Sequence, residues 1–182
     1  MLKKIINNIS RTEGGYVDHP ADRGGPTKYG ITKKSLSNHL ARYVDDSDVR
    51  QLTKSEAYDI YEQHYYHYPK IDQLPQQLHY IMLDMSVNHG PRRAIKLLQH
   101  ELLDKEYSVG KVDGIIGKKT IKASEKAVKK LGDELINQLI ERRLLFYRSI
   151  IQHNPSQKVF WTGWMNRAES FRPNPENTQD KA

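Results

Sequence analysis

Most of the chain consists of helix-length segments in which apolar residues recur every three or four positions, with glycine or proline between many of them. In the first segment, Leu2, Ile5, Ile6 and Ile9 share one helical face. The chain shows no internal repeat and no alternation of strands with helices. These patterns predict a mainly α protein with a first helix over residues 2–13.

Capping residues, glycines and prolines set the limits of the later helices. Thr32 caps a predicted helix that runs to about Tyr43, and Thr53-x-x-Glu56 is a capping box that opens another to about Tyr66. Further helices are predicted at about 74–90, 91–103, 118–130, 133–152 and 157–171. Two loops remain, 14–31 and 104–116, and the first has room for a short β-hairpin around Gly24-Gly25.

Composition narrows the classes of protein to consider. A chain of 182 residues suits one compact domain, or one domain with a small second lobe. It has no cysteine, which excludes disulfides and thiol chemistry. The net charge of +7 favours an anionic partner such as nucleic acid, anionic lipid or a cell-wall polymer. No run approaches the roughly 18 apolar residues of a membrane span, and the first residues lack the apolar core of a secretory signal.

Glu13 is the first candidate for chemistry. It continues the apolar stripe of the first helix, and Gly14-Gly15 then ends that helix. Partial burial and the negative end of the helix dipole would both raise its pKa, as a general acid requires. Two alternatives stay open: Ser10-x-x-Glu13 also matches a capping box, and Glu13 could be an ordinary surface residue.

Asp22 and Thr27 follow Glu13 by nine and fourteen residues. Glycoside hydrolysis commonly uses two carboxyl groups, one to protonate the leaving oxygen and one to activate water. A flexible loop could bring Asp22 and Thr27 over the end of the first helix, although Asp22 could equally cap a turn. His64 and His67 have metal-ligand spacing but no evident third ligand, so packing or surface positions are favoured. No metal and no organic cofactor are predicted.

Several motifs in the first half resemble the signature of glycoside hydrolase family 108. They are Glu13-Gly-Gly-Tyr16, Asp22-x-Gly-Gly25, Thr27 and Tyr29-Gly-Ile-Thr32. The resemblance implies a lysozyme-like, two-lobed helical fold and N-acetylmuramidase activity with Glu13 as catalytic acid. The order Glu-x8-Asp-x4-Thr is also similar to phage-type lysozymes, which have five residues before the threonine instead of four.

Motifs in the rest of the chain resemble the same family. They are Asp84-x-x-x-Asn88-x-Gly90-Pro91, Asp113-Gly-x-x-Gly117-x-x-Thr120 and Gly163-Trp164-x-x-Arg167. The second of these is similar to the family's predicted peptidoglycan-binding region. The resemblance implies a catalytic lobe at 1–91, a peptidoglycan-binding lobe at 92–172 and a polar tail at 173–182. The candidate substrate-binding residues are Tyr16, Tyr29, Asp84 and Asn88.

The expected function is therefore hydrolysis of the β-1,4 bond between N-acetylmuramic acid and N-acetylglucosamine, for phage-type lysis or export-linked wall remodelling. Two alternatives are a non-catalytic peptidoglycan-binding protein and a chitin- or chitosan-type glycosidase. Nucleic-acid binding has only dispersed basic pairs to support it and is not expected. We expect a monomer, made in the bacterial cytoplasm without a signal peptide or membrane insertion, which reaches the periplasm or wall by holin-type or other release.

Overall fold

A computed structural model of the chain describes Tyr16 and residues 26–173. The predicted first helix, Glu13, Asp22 and the tail from residue 174 lie outside the described residues. The described part is mainly α, as predicted, with one two-stranded antiparallel sheet. We label the strands β1 (Thr27–Lys28) and β2 (Ile31–Thr32), and the α-helices α1 (Lys33–Leu40), α2 (Asp46–Gln51), α3 (Lys54–Glu62), α4 (Gln76–His89), α5 (Pro91–Asp104), α6 (Lys118–Leu131), α7 (Asp133–His153) and α8 (Trp161–Glu169). A π-helix (Gln63–His67) and two 3₁₀-helices (Ile71–Gln73 and Pro155–Phe160) complete the described elements.

The hairpin pairs Thr27 with Thr32 and Lys28 with Ile31. Its two turn residues, Tyr29 and Gly30, both have positive φ (53° and 74°), the backbone of a two-residue turn that matches strand twist. The hairpin therefore closes a few residues after the predicted position at Gly24-Gly25, at the end of the 14–31 loop.

Side-chain caps define the helices of the first half. Thr32 accepts a hydrogen bond from the Ser35 N–H at the start of α1, and Thr53 forms the predicted capping box with Glu56 at the start of α3. Helix α1 ends at Leu40 instead of Tyr43, because Ala41 adopts the left-handed conformation (φ 51°) that stops a right-handed helix. Helix α2 was not predicted from the sequence.

The chain then passes from α3 into the π-helix without a break and turns into α4. Helix α4 is buried along most of its length, with Leu78, Ile81 and Met85 each no more than 2% exposed. A single residue, Gly90 (φ 78°, ψ 148°), ends α4 and precedes α5, and the two helices pack against each other. The predicted boundary at 91/92 falls at this junction. The division into a catalytic lobe at 1–91 and a peptidoglycan-binding lobe at 92–172 stays a prediction.

Gln99, buried in α5, holds the loop that precedes α6. Its amide donates to the Asp113 carboxylate (3.0 Å), the Ile115 carbonyl (3.1 Å) and the Thr120 hydroxyl (3.3 Å). Its carbonyl accepts from the Gly114 N–H at 2.9 Å. Gly114 has φ of 78°, and a Cβ there would lie 2.5 Å from Cγ of Arg92, so this close approach requires glycine. The Asp113-Gly-x-x-Gly-x-x-Thr motif thus forms a loop whose conformation is held by hydrogen bonds to the Gln99 side chain.

The C-terminal helices complete the core. Helix α7 packs against α5, α6 and α8. The segment predicted as one helix at 157–171 is divided into the second 3₁₀-helix and α8. Trp164 is half-buried and stacks on Tyr147 (centroids 4.9 Å apart) and Phe160 (5.8 Å). Within residues 26–173, no helix combines the length and apolar character that a membrane crossing requires.

Candidate active site

The hairpin carries the first described site candidates. Thr27 lies on β1 and is half-buried opposite Thr32. Tyr29 lies at the turn, where its carbonyl accepts a hydrogen bond from the Tyr61 hydroxyl of α3 at 2.9 Å. Lys28 reaches over to donate to the Arg50 carbonyl of α2. Two helices therefore fix the hairpin and with it the position of Thr27.

Aromatic side chains surround the hairpin. Tyr16 is half-buried, and the Arg50 guanidinium lies 4.3 Å from the centre of its ring. On α3 and the π-helix, the rings of Tyr61 and Tyr65 lie 5.6 Å apart, and the Tyr65 hydroxyl is 3.3 Å from Oγ of Ser35. Tyr61 is buried, whereas Tyr16 and Tyr65 are half-buried and keep part of their ring surface accessible.

Asp84, a predicted substrate-binding residue, lies in a different setting. Its side chain is buried and binds two arginines from distant helices. Oδ2 lies 2.7 Å from Nη2 of Arg143, and Oδ1 accepts from Nε of Arg167 at 3.0 Å. Asn88, one turn later and exposed, donates to the Asp84 carbonyl at 2.7 Å. Asp84 therefore joins α4, α7 and α8, and of this pair it is Asn88 that reaches the surface.

His89, next in the chain, lies beside this ion cluster. Its ring packs edge-on against Phe146 and Tyr147, with both centroid distances at 5.2 Å. Burial lowers the pKa of His89 to about 3, and the positive charge of Arg143 adds to the effect. His89 is therefore neutral at physiological pH.

Each half of the chain matches the model of a known protein family. The family model for Glycosyl hydrolase 108 matches residues 6–90, and the model for the Predicted Peptidoglycan domain matches residues 93–169. The solved structure described as "Structure of Brucella abortus SagA" is 35% identical, covers 94% of this chain and 91% of its own, and superposes with a TM-score of 0.79. The chain belongs to glycoside hydrolase family 108. No curated protein sequence matches it.

Family 108 membership and the peptidoglycan domain together make this protein a peptidoglycan hydrolase. All seven predicted site residues fall in the part that matches the hydrolase model. The structure brings Tyr16, Thr27 and Tyr29 to the hairpin and its neighbours, and places Asp84 and Asn88 on α4. The catalytic roles of Glu13, Asp22 and Thr27 stay predictions, as does the substrate contact predicted for Tyr16, Tyr29, Asp84 and Asn88.

Arg143, which binds Asp84, was not among the site residues predicted from the sequence. It is fully buried, and its Nε donates to the Tyr147 hydroxyl at 2.9 Å. In the sequence it belongs to a basic pair, Arg142-Arg143, which resembles a solvated helix face. Its helical spacing could have indicated burial, because Arg143 lies on the apolar side of α7 with Leu139, Ile140 and Leu144.

Proposed function

We propose that this family 108 hydrolase is an N-acetylmuramidase, which cleaves the β-1,4 bond between N-acetylmuramic acid and N-acetylglucosamine. The observation that carries the proposal is the Glu13-Gly-Gly signature within the region that matches the hydrolase family model. The peptidoglycan domain at 93–169 supports a substrate in the cell wall.

In the proposed mechanism, Glu13 protonates the glycosidic oxygen as the bond breaks. Asp22 activates the attacking water, and the Thr27 hydroxyl helps to hold that water. The hydrogen bond from Tyr61 to the hairpin turn would keep Thr27 in place during the reaction. Tyr16, Tyr29 and Asn88 are the proposed contacts to sugar rings and their substituents. Such chemistry uses carboxyl groups and water alone.

The decisive test compares three proteins on purified peptidoglycan: the parent, Glu13→Gln, and Glu125→Gln. Glu125 is exposed on α6 and provides the same chemical change far along the chain. We expect Glu13→Gln to lose at least about a hundredfold in turbidity clearance, as removal of a general acid does, and Glu125→Gln to keep full activity. Equal rates in Glu13→Gln and the parent would exclude the assignment.

Mass spectrometry of the digests identifies the bond. A muramidase leaves N-acetylmuramic acid at the new reducing end, whereas a glucosaminidase leaves N-acetylglucosamine there. A panel of soluble chitin and chitosan oligomers separates the chitin-type alternative. We further propose inversion at the anomeric carbon, by likeness to phage-type lysozymes, and NMR of the first-formed anomer distinguishes it from retention.

The proposed setting is phage-type lysis or export-linked wall remodelling by a monomer released into the periplasm. Co-expression with a holin tests the lytic version, since lysis should then require both proteins. Light scattering coupled to gel filtration measures the oligomeric state directly.

A further inference from the structure

A trough with positively charged walls crosses the start of α5, and its lining includes no residue of the hairpin. It consists of two hollows, of about 330 and 470 Å³, which share Pro91 and Arg92 in their lining. We call this surface the α5 trough. The side chains that matter to its character are Tyr68, Lys70, His89, Arg92, Arg93 and Lys96.

Carboxylates of the described residues offset little of the positive charge in the α5 trough, where Arg92 interacts electrostatically with Asp113. Neither hollow has an acidic residue in its lining. Among residues 26–173, none of its four lysines and arginines forms an ion pair. Arg42, Arg142 and Arg172, by contrast, each bind a carboxylate. The trough is thus a concentrated site for anionic groups.

Apolar surface accompanies the charge. Tyr68 is 68% exposed and Ile115 is 61% exposed at the rim of the smaller hollow, above the buried Ile95 and Ile116. Large apolar side chains exposed together in a concave surface mark a binding site more often than a solvated face. A ligand that fits this surface combines small apolar groups with negative charges.

We propose that the α5 trough binds the acidic peptide stems of peptidoglycan, whose alanine methyl groups and free carboxylates provide both features. The choice of ligand rests on the proposed muramidase function. The cations meet the stem carboxylates, and Tyr68 with Ile115 packs on the methyl groups. His89 is neutral above about pH 5, so the charge of the trough is constant at physiological pH. The enzyme would then prefer glycan that still carries its stems.

Binding is measured in the Glu13→Gln background, so that the ligand is not consumed. The test variant is Arg93→Gln/Lys96→Gln, which spares Arg92 because its Nε bonds to the Asp113 carbonyl at 3.1 Å. The control is Lys122→Gln/Lys126→Gln, which removes the same charge from exposed positions of α6, beside a hollow that includes Glu106. The ligands are soluble uncrosslinked glycan chains with stems, and the same chains after an amidase has removed them.

We expect the test variant to bind stem-bearing chains about tenfold more weakly, since two exposed charge contacts are lost and each contributes roughly threefold. The control should change by less than about twofold, and all proteins should bind stem-free chains alike. Because Arg93 also lies 5.1 Å from the Phe146 ring, Lys70→Gln/Lys96→Gln provides a second variant without that contact.

Three results would overturn the inference: unchanged binding in both trough variants, an equal loss in the α6 control, or an equal loss on stem-free chains. Release of reducing sugar by the parent enzyme is scored separately. A protein that binds stems through the trough but releases no sugar refutes the muramidase function and leaves the binding site standing. If the parent releases sugar but the trough variants bind stem-bearing chains as tightly as the parent does, the trough site is refuted and the muramidase function stands.

Discussion

Two consecutive arginines of α7 bind carboxylates in opposite surroundings. Arg142 is 23% exposed in its side chain and binds Glu101 at 2.6 Å and also Asp104, both on α5. Arg143 is 0% exposed and binds Asp84 of α4 at 2.7 Å. Because consecutive helix residues point about 100° apart, one arginine faces the rim of the α5–α7 contact and the other faces the core.

From this difference we expect burial, more than the number of contacts, to determine what each ion pair contributes to stability. Water can solvate Arg142 when a partner is lost. Water cannot solvate Arg143 in this way, because its side chain is buried among Tyr147, Phe171 and Asp84. A buried arginine without its carboxylate is an unpaired charge in a poorly polarisable medium. The contact of α7 with α4 therefore depends on one aspartate.

The largest effect should come from Asp84→Asn. It leaves Arg143 buried without a counter-charge, and we expect the free energy of unfolding to fall by about 3–5 kcal/mol. For a protein of this size the Tm should fall on the order of 10 °C. Thermal unfolding followed by circular dichroism measures it. A loss below about 1 kcal/mol would mean that water reaches Arg143.

Next comes the pH dependence of His89, which belongs to the buried region. Its pKa of about 3 in the folded protein is below the ordinary value near 6.5, so the unfolded chain binds the proton first. Stability should therefore fall as the pH drops below 6.5, by up to about 1.4 kcal/mol per pH unit. His89→Gln should flatten this slope in urea titrations between pH 7 and 4.5. The matched control for the loss of one imidazole is the same change at an exposed position, His100→Gln.

Glu101→Gln weakens the more buried half of the Arg142 cluster. The Glu101 side chain is only 6% exposed, but its arginine reaches solvent and keeps Asp104. We expect a loss of about 1–2 kcal/mol in urea unfolding. A loss as large as that of Asp84→Asn would show that the Arg142 and Arg143 clusters contribute equally to the free energy of unfolding.

Asp104→Asn should have the smallest effect. Its side chain is 62% exposed, and exposed ion pairs contribute at most about 1 kcal/mol. The effect should also shrink in 1 M salt, whereas that of Asp84→Asn should persist. Measuring both variants at low and high salt tests the comparison independently of absolute stability.

Local signals explain what the sequence could predict of the fold. The capping box of Thr53 and Glu56 was visible because its residue types are the common ones and an apolar helix follows. An equivalent box, in which Asp45 and Asp48 each accept from the other's N–H, was missed at α2. That helix has six residues and one buried side chain, Val49, so it has no measurable periodicity. The π-helix also has no pattern distinct from the helix it continues.

Contacts between distant positions explain what the sequence could not predict of the site. Asp84 and Arg167 were both noticed in motifs, but their 83-residue separation gave no reason to join them. Their salt bridge shows that the Asp-x-x-x-Asn and Trp-x-x-Arg motifs form one structural unit. Asp84 is a candidate substrate-binding residue in the sequence, but an acid on an apolar helix fits a buried ion pair equally well.

The Gly90 junction has a consequence for how such a protein can be assembled from modules. The regions that match the two family models meet at residues 90–93, where one residue in a left-handed backbone links two helices. Each residue added there would rotate α5 by about 100° and advance it by about 1.5 Å. A rotation of that size would carry Arg143 and Arg167, which follow the joint, away from Asp84, which precedes it. The number of residues between α4 and α5 thus sets how the two helices are oriented. A hydrolase made by recombination at this boundary must therefore keep the length of the junction unchanged.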